Sequence, residues 1–319
     1  MAGIGRVAFL GTGAFGVPLL PRLVELASEL LVVSQPDRPA GRGLQVRRTP
    51  VSAWAAAHRV RVETPRRLRS DEGRAVLTSF APDGLILVDY GQLVPPDILE
   101  IGSRPPLNVH PSLLPRHRGA TPVAGTILAG DVEAGVTLMV MTAELDAGPM
   151  VAQWSSTLTG RETTPELEAH LADLAARVVP PQLERWAAGE VATTPQDADV
   201  ATYTRPFTRG DGWIDWRRPA LELDRQVRGL QPWPGAWTTV AGRRLHVRRA
   251  RVEMGPREGG PGAVLPGDLP RVVAGAGTLV LEIVQPEGRP AMPADAWRHG
   301  RAGGEPLVLG AAGAGGDED

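Results

Sequence analysis

Short apolar runs closed by glycine or polar turns, with helical spacing between them, constrain this chain more than any other feature. RVAFLG (6–11) is such a run and reads as a buried strand. Residues 15–27 follow with helical spacing through Phe15, Leu19, Leu20, Leu23 and Leu26. Pro18 suits a first turn; Pro21 does not suit a helix interior, so the helix should start late or kink. LLVVSQ (30–35), GLILVDYG (84–91), PLNVH (106–110) and VTLMVMT (136–142) repeat the strand pattern. Helices are predicted over 50–58, 121–129 and 163–189, the last interrupted at Pro180 and Pro181. Strands alternating with helices build a parallel sheet covered on both faces. Ligands of such sheets sit at the carboxyl ends of the strands. Segments 89–95, 108–118 and 143–149 follow strands and are expected there.

After about residue 190 the helical periodicity ends. WIDW, AWTTVAG, RRLHVRRARVE, GAVL, RVVAG and LVLEIVQ are short β-type runs separated by glycine and proline turns, the pattern of a small antiparallel barrel. The organisation expected is a Rossmann-like α/β domain with a parallel-rich sheet over 1–189 and a linker over 190–207. A small C-terminal OB-like β-barrel over 208–308 follows, then a low-complexity, disordered tail over 309–319.

Composition narrows the class. At 319 residues and 42% apolar content the chain can bury two cores. It has no cysteine, which excludes disulfides and thiolate metal ligands. No apolar run reaches transmembrane length and MAGIGRVAFLG is no signal peptide, so a cytoplasmic protein, not a membrane one, is expected. All 34 Lys-plus-Arg positions are arginine, the side chain whose rigid fork suits phosphate. Charge is uneven: residues 207–300 carry 14 arginines against 10 acids, residues 1–206 carry 19 against 22. A mildly basic C-terminal part fits a polyanion, or simply a solvated surface.

Gly11, Gly13 and Gly16 spell G-x-G-x-x-G between a predicted strand and helix, the dinucleotide fingerprint. A nicotinamide-dependent oxidoreductase is therefore a rival reading. Against it, the acid that would take the ribose, Asp37, sits in the turn-rich QPDRPAGRG (35–43) and not cleanly at a strand tip. That reading also leaves the NVHPSLLP and LDAGP stretches unexplained, and tight turning with close helix–strand packing accounts for the glycines.

NVHPSLLPRHRG (108–119) and LDAGP (145–149) supply an amide, an imidazole and a carboxylate. Residues two apart on a strand share a face, so Asn108 and His110 can address one atom together. An amine attacking a formyl carbonyl passes through a tetrahedral oxyanion, which an amide N–H can stabilise. Histidine can relay the proton the amine sheds, and a carboxylate beside it would orient the ring. Each residue alone has a plainer reading: Asn108 as strand-end bonding, His110 as a core histidine, Asp146 as a turn residue. Their joint occurrence with the flanking pattern favours the chemical one. The remaining histidines form no ligand-spaced cluster with acids, so no metal is expected.

The pattern resembles the folate-dependent formyltransferases. There an N-x-H strand end precedes S-L-L-P, and a later L-D-x-G-P loop supplies the acid; here these are Asn108, His110, Ser112-Leu113-Leu114-Pro115 and Leu145-Asp146-Ala147-Gly148-Pro149. The resemblance implies 10-formyltetrahydrofolate as donor, direct transfer, and Asn108, His110 and Asp146 as catalytic residues. It implies a folate site at Tyr90, Gly91, Gln92, Leu93 and Val94 together with Ser112, Leu113, Leu114 and Pro115, in which the Ser-Leu-Leu-Pro turn shapes the site and Ser112 itself reads as a turn hydroxyl.

Three further features are similar to the branch of that family acting on methionyl-tRNA: QPDRPAGRG (35–43), RGATPV (118–123), and IDW (214–216) followed by QPWPGAW (231–237). This implies initiator methionyl-tRNA as partner and a monomeric enzyme of translation initiation. Arg38 and Arg42 carry over onto tRNA contact, and a subset of Arg243, Arg244, Arg248, Arg249 and Arg251 could line a channel. Amino-sugar formyltransferases, which share the SLLPxxRGxxP form, are the alternative, and a non-catalytic RNA-binding barrel protein is a further one. His117 stands where the methionyl-tRNA branch usually has tryptophan, and Asp89 where it has alanine. Leu44 and Gln45 replace the lysines after the arginine loop, with Arg47 and Arg48 slightly later.

Overall fold

A computed structural model describes residues 3–40, 45–255, 258–300 and 307–310. It divides into two compact units. The first comprises the described parts of Met1–Val123, Glu133–Thr157 and Glu166–Arg205; the second those of Ala124–Val132, Leu158–Pro165 and Pro206–Asp319.

In the first unit the strands are β1 (Arg6–Gly11), β2 (Glu29–Val33), β3 (Arg38–Ala40), β4 (Gln45–Arg47), β5 (Arg61–Glu63), β6 (Gly84–Val88), β7 (Leu107–His110), β8 (Arg118–Gly119), β9 (Glu133–Val140), β10 (Met150–Thr157) and β11 (Tyr203–Thr204). The helices in chain order are α1 (Leu20–Leu26), α2 (Pro50–Ala57), α3 (Asp71–Phe80), α4 (Pro96–Leu99), α5 (Pro122–Ala129), α6 (Thr164–Val178) and α7 (Pro180–Ala187). Most of α5, from Ala124 onward, and the first two residues of α6 cluster with the second unit. As the prolines require, a 3-10 turn over Ala14–Leu19 precedes α1, with Pro21 in its first turn. Pro180 likewise opens α7 after the break from α6.

The main sheet runs β10-β9-β7-β6-β1-β2-β5. β5, β2, β1, β6 and β7 are parallel, while β9 pairs antiparallel with β7 and β10 with β9. Apolar side chains from the central strands and α3, among them Ala8, Leu10, Leu31, Leu77, Phe80 and Leu85, form one core. The chain doubles back between β1 and β6, where the loops after Gly11 and Val88 meet: Thr12 and Gly13 both donate backbone N–H groups to the Asp89 carbonyl, at 3.0 and 3.3 Å.

The antiparallel turn of β9 corrects one expectation. Leu107 faces Val140 and His110 faces Thr137, so β9 ends where β7 begins. Segments 89–95 and 108–118 leave the carboxyl ends of parallel strands, as expected. The 143–149 segment leaves from the opposite end and folds back over the sheet face. A side chain at Gly148 would strike the Val140 carbonyl, which is how closely that return path is drawn.

The second unit holds an antiparallel sheet of β12 (Ala236–Val240), β13 (Arg243–Glu253), β14 (Val264–Leu265), β15 (Arg271–Val273), β16 (Thr278–Pro286) and β17 (Met292–Pro293). The order is β12-β13-β16-β15-β14, with β17 also on β16, an arrangement consistent with the small barrel read from the sequence. It also contains helices, α8 (Ala220–Gly229) and α9 (Ala294–His299), where the sequence reading saw the helical pattern end. Ala220, Leu223 and Val227 of α8 are buried against Leu245, Val247 and Leu279 of the sheet. The first two residues of the stretch expected to be disordered are instead fixed: Leu309 is buried in this core and the Gly310 N–H reaches the Thr239 carbonyl at 2.9 Å. Residues 311–319 lie outside the described residues.

Candidate active site

β7 is only four residues long, and all four are buried. Its alternation puts Asn108 and His110 on one face, and the returning 143–149 segment lays Asp146 against them. Asn108 Nδ2 donates to Asp146 Oδ1 at 3.3 Å, and His110 Nδ1 lies 3.8 Å from Asp146 Oδ2. The three residues predicted from separate stretches therefore share one locus. Asn108 is 6% exposed and His110 5% exposed, so little water competes with the polar contacts there.

The surroundings fix each group. Asp146 Oδ2 accepts the Gly119 backbone N–H at 2.8 Å. The Asn108 amide, having spent one N–H on Asp146, retains a second donor. His110 Nε2 lies 3.0 Å from the His117 carbonyl, an acceptor only, so Nε2 carries a proton. In the neutral ring Nδ1, the nitrogen facing Asp146, is then the proton acceptor. His117 has a φ of 59°, and its own N–H is anchored on Thr202 Oγ1 at 2.8 Å. At this position, then, the backbone serves the site.

Sequence reasoning missed the clamp behind Asp146, whose backbone sits at a φ of 48°. Gln196 Nε2 donates to the carbonyls of Asp146 and Gly148 at 2.8 and 2.7 Å. Its Oε1 accepts from Arg118 Nε and Nη2 at 3.0 and 2.8 Å. Arg118 is buried and also reaches the Tyr203 hydroxyl at 3.1 Å. Gln196 falls in the stretch read as a linker, and nothing local in its sequence distinguishes it.

The residues predicted for folate divide. The Tyr90 ring is buried in the core, where burial pushes its pKa to about 12, so only its backbone faces the neighbouring loops. Its carbonyl accepts from Thr12 Oγ1 and Gln35 Nε2, both at 2.8 Å. Gln92 spends its side chain on another turn, accepting from the Leu68 N–H at 3.0 Å. Val94 packs on the core, whereas Gly91 and Leu93 are open, Leu93 to 80%. Ser112 is buried and donates to the Arg116 carbonyl at 2.7 Å, which makes it the turn hydroxyl. Leu114 is buried, while Leu113 and Pro115 are half-buried. Thr137 Oγ1 donates to the Ser112 carbonyl at 2.6 Å and accepts the Leu114 N–H at 3.2 Å, which pins this turn to β9. Of the residues predicted for folate, Gly91, Leu93, Leu113 and Pro115 are thus accessible, and the Tyr90 ring is not.

The glycine fingerprint is explained by packing. Side chains at Gly11 and Gly16 would strike the Phe9 ring, and one at Gly13 would strike the Asp89 carboxylate. A carboxylate against the loop opposes a pyrophosphate there. Asp89 reaches solvent, yet burial, and after it the Glu168 carboxyl on α6, raise its pKa to about 6. No group of three or more metal-ligating side chains occurs among the described residues.

Of the arginines predicted for RNA contact, Arg42 lies outside the described residues. Arg38 opens β3, which pairs with β4 in a hairpin. The barrel arginines are largely engaged. Arg249 and Arg251 share Glu282 at 3.0 and 3.5 Å, and Arg248 Nη2 reaches Gln285 Oε1 at 2.6 Å. Arg243 lies 3.9 Å from Glu287, and Arg244 stacks over the Trp237 ring at 4.3 Å.

Comparison with known proteins gives the family. The "Formyl transferase" family profile matches residues 5–183, and "Formyl transferase, C-terminal domain" matches 206–302. A methionyl-tRNA formyltransferase of Roseiflexus sp. (strain RS-1) is 42% identical over 309 residues, covering 95% of each chain. Another, of Gluconacetobacter diazotrophicus, is 44% identical over 298 residues, covering 93% of this chain and 96% of its own. Among solved structures, HypX from Aquifex aeolicus with tetrahydrofolic acid superposes with a TM-score of 0.63 at 18% identity, over 92% of this chain and 46% of that one. An N-formyltransferase from Helicobacter canadensis, complexed with folinic acid and dTDP-3-aminofucose, gives 0.66 at 13% identity, over 86% and 98%. The two structural likenesses speak to the fold alone.

Proposed function

This chain belongs to the formyl transferase family, and from that premise we propose that it moves the formyl group of 10-formyltetrahydrofolate onto the α-amino group of methionine on initiator tRNA. Full-length similarity near 40% to methionyl-tRNA formyltransferases supports the acceptor. The convergence of Asn108, His110 and Asp146 carries the chemistry.

In this reading a bond forms from the acceptor amine to the formyl carbon and the bond from that carbon to the folate N10 breaks. The amine sheds a proton, and N10 gains one. The free N–H of Asn108 stabilises the oxyanion formed between these events. His110 takes the proton at Nδ1, the nitrogen left basic by the His117 carbonyl. Asp146 holds the resulting imidazolium and passes the proton on. Gly119 and Gln196 keep that carboxylate in place. The donor's flat ring is assigned to Gly91, Leu93, Leu113 and Pro115, and Arg38 and Arg42 to RNA phosphate. No helix among the described residues is long and apolar enough to cross a membrane, and the reading takes the enzyme as cytoplasmic and monomeric.

The test is an acceptor competition. The purified chain, 10-formyltetrahydrofolate, methionyl initiator tRNA and a UDP-amino-sugar are incubated together. Formylmethionyl-tRNA as the product is expected; a formylated sugar with untouched tRNA overturns the acceptor.

A further inference from the structure

The turn after β5, TPRRLR (64–69), is not used by the formyl-transfer site. Its backbone is held at several points. Pro65 and Leu68 are buried. The Leu68 N–H donates to Gln92 Oε1 at 3.0 Å, and Gln92 Nε2 donates to the Arg66 carbonyl at 3.4 Å. Ser70 Oγ donates to the Arg67 carbonyl at 2.7 Å and accepts the Gly73 N–H at 3.2 Å, capping α3. Between these anchors Arg66, Arg67 and Arg69 are exposed. Among the described residues, no hydrogen bond, ion pair or ring contact engages their side chains, in contrast to most of the barrel arginines.

The setting is basic. Residues 45–69 contain seven arginines and one acid, Glu63, in a chain of formal net charge −2. Arg66 and Arg67, with Pro36, Asp37, Ser70 and Glu72, line a cleft of about 700 Å³. They therefore face Pro36 and Asp37, which precede β3. Through Gln92 the turn is also tied to the 89–95 loop at the carboxyl end of β6.

We propose that Arg66, Arg67 and Arg69 form a second phosphate-contacting surface for the RNA, across the cleft from Pro36 and Asp37 and additional to the role assigned to Arg38 and Arg42. The inference rests on the reading of the acceptor as a tRNA. Asp37 and Glu72 within the cleft oppose a small free anion there. Both acids have local roles: Asp37 accepts from Ser52 Oγ at 3.4 Å, and Glu72 sits in the first turn of α3, where the helix dipole favours a carboxylate. Long arginines on a fixed backbone instead reach outward to an extended backbone of phosphates, which guanidinium binds bidentately. Their backbone is ordered before the RNA arrives, which lowers the entropic cost of contact.

The experiment compares wild type with Arg66→Ala/Arg67→Ala/Arg69→Ala and with the corresponding triple glutamine variant. Arg22→Ala serves as control, since Arg22 pairs with Glu25 on α1, at 2.7 Å. KM for methionyl-tRNA is measured between about 50 and 200 mM salt. Both triple variants are expected to raise KM by about ten-fold at the low-salt end and to flatten the salt slope by roughly 2, kcat falling far less. Wild-type KM and slope in both triple variants overturn the surface, as does an equal change in Arg22→Ala. A wild type that neither formylates nor binds tRNA overturns the acceptor reading itself, and this surface with it.

Discussion

Replacing Asn108 by alanine removes one hydrogen-bond donor from a site where three others are independently held. The Asn108 side chain is almost fully buried and one of its N–H bonds already goes to Asp146, so a single donor is left for the developing oxyanion. Loss of one such donor costs roughly 2.7–4 kcal/mol of transition-state stabilisation, a factor of about 100 to 1,000 in kcat. The rest of the site should survive. Asp146 keeps the Gly119 N–H at 2.8 Å, and its loop keeps both Gln196 bonds. The effect should therefore fall on kcat, with KM for either substrate moving by less than about three-fold. Asn108→Asp, isosteric but donorless when ionised and repelled by Asp146, should fall at least as far. Steady-state formylation assays on both variants, with thermal melts to confirm folding, decide the matter. An alanine variant within about ten-fold of wild-type kcat, or a loss confined to KM, refutes the oxyanion role.

Gln196→Glu keeps an acceptor for Arg118 but sets a carboxylate oxygen against the Asp146 and Gly148 carbonyls. It should lower kcat at least about ten-fold with KM for tRNA little changed, and Gln196→Met should do the same; unchanged kinetics would remove Gln196 from the site. Asp89, raised to about 6 in the folded chain, contributes stability that is full below its ordinary value of 3.8 and is lost as pH rises through about 6. Asp89→Asn should therefore gain in melting temperature over wild type as pH rises across that window, and a constant difference would contradict the assigned cause. Leu279→Ala, at a fully buried position of the second unit, should cost roughly 2–5 kcal/mol in denaturant unfolding.

The sequence made the strand alternation legible because β1, β2, β6 and β7 are buried on both faces and read as unbroken apolar runs. It made the triad nameable because Asn108 and His110 need only the two-residue period of a strand. Asp146 required tertiary information: β9 turns antiparallel, and no local pattern says that its loop returns over β7. The helix α8 was missed because only Ala220, Leu223 and Val227 mark its buried face among charged neighbours. α3 was readable in principle, from the Ser70 cap and from Leu77 and Phe80. The clamp by Gln196 and Arg118 and the burial of Tyr90 could not be read, because both depend on which segments meet in space. The glycine fingerprint misled because the crowding that requires those glycines comes from Phe9 and Asp89, and Asp89 lies far away along the chain.

Asn108 is the chain's one asparagine, so labelling that residue type with ¹⁵N leaves a single asparagine side-chain amide in the NMR spectrum. Titrating the labelled protein with 5-formyltetrahydrofolate, a donor analogue, should shift that amide pair as the folate site fills. An amide pair that stays still while the analogue is demonstrably bound would mean that the formyl group sits elsewhere and that Asn108 does not serve it.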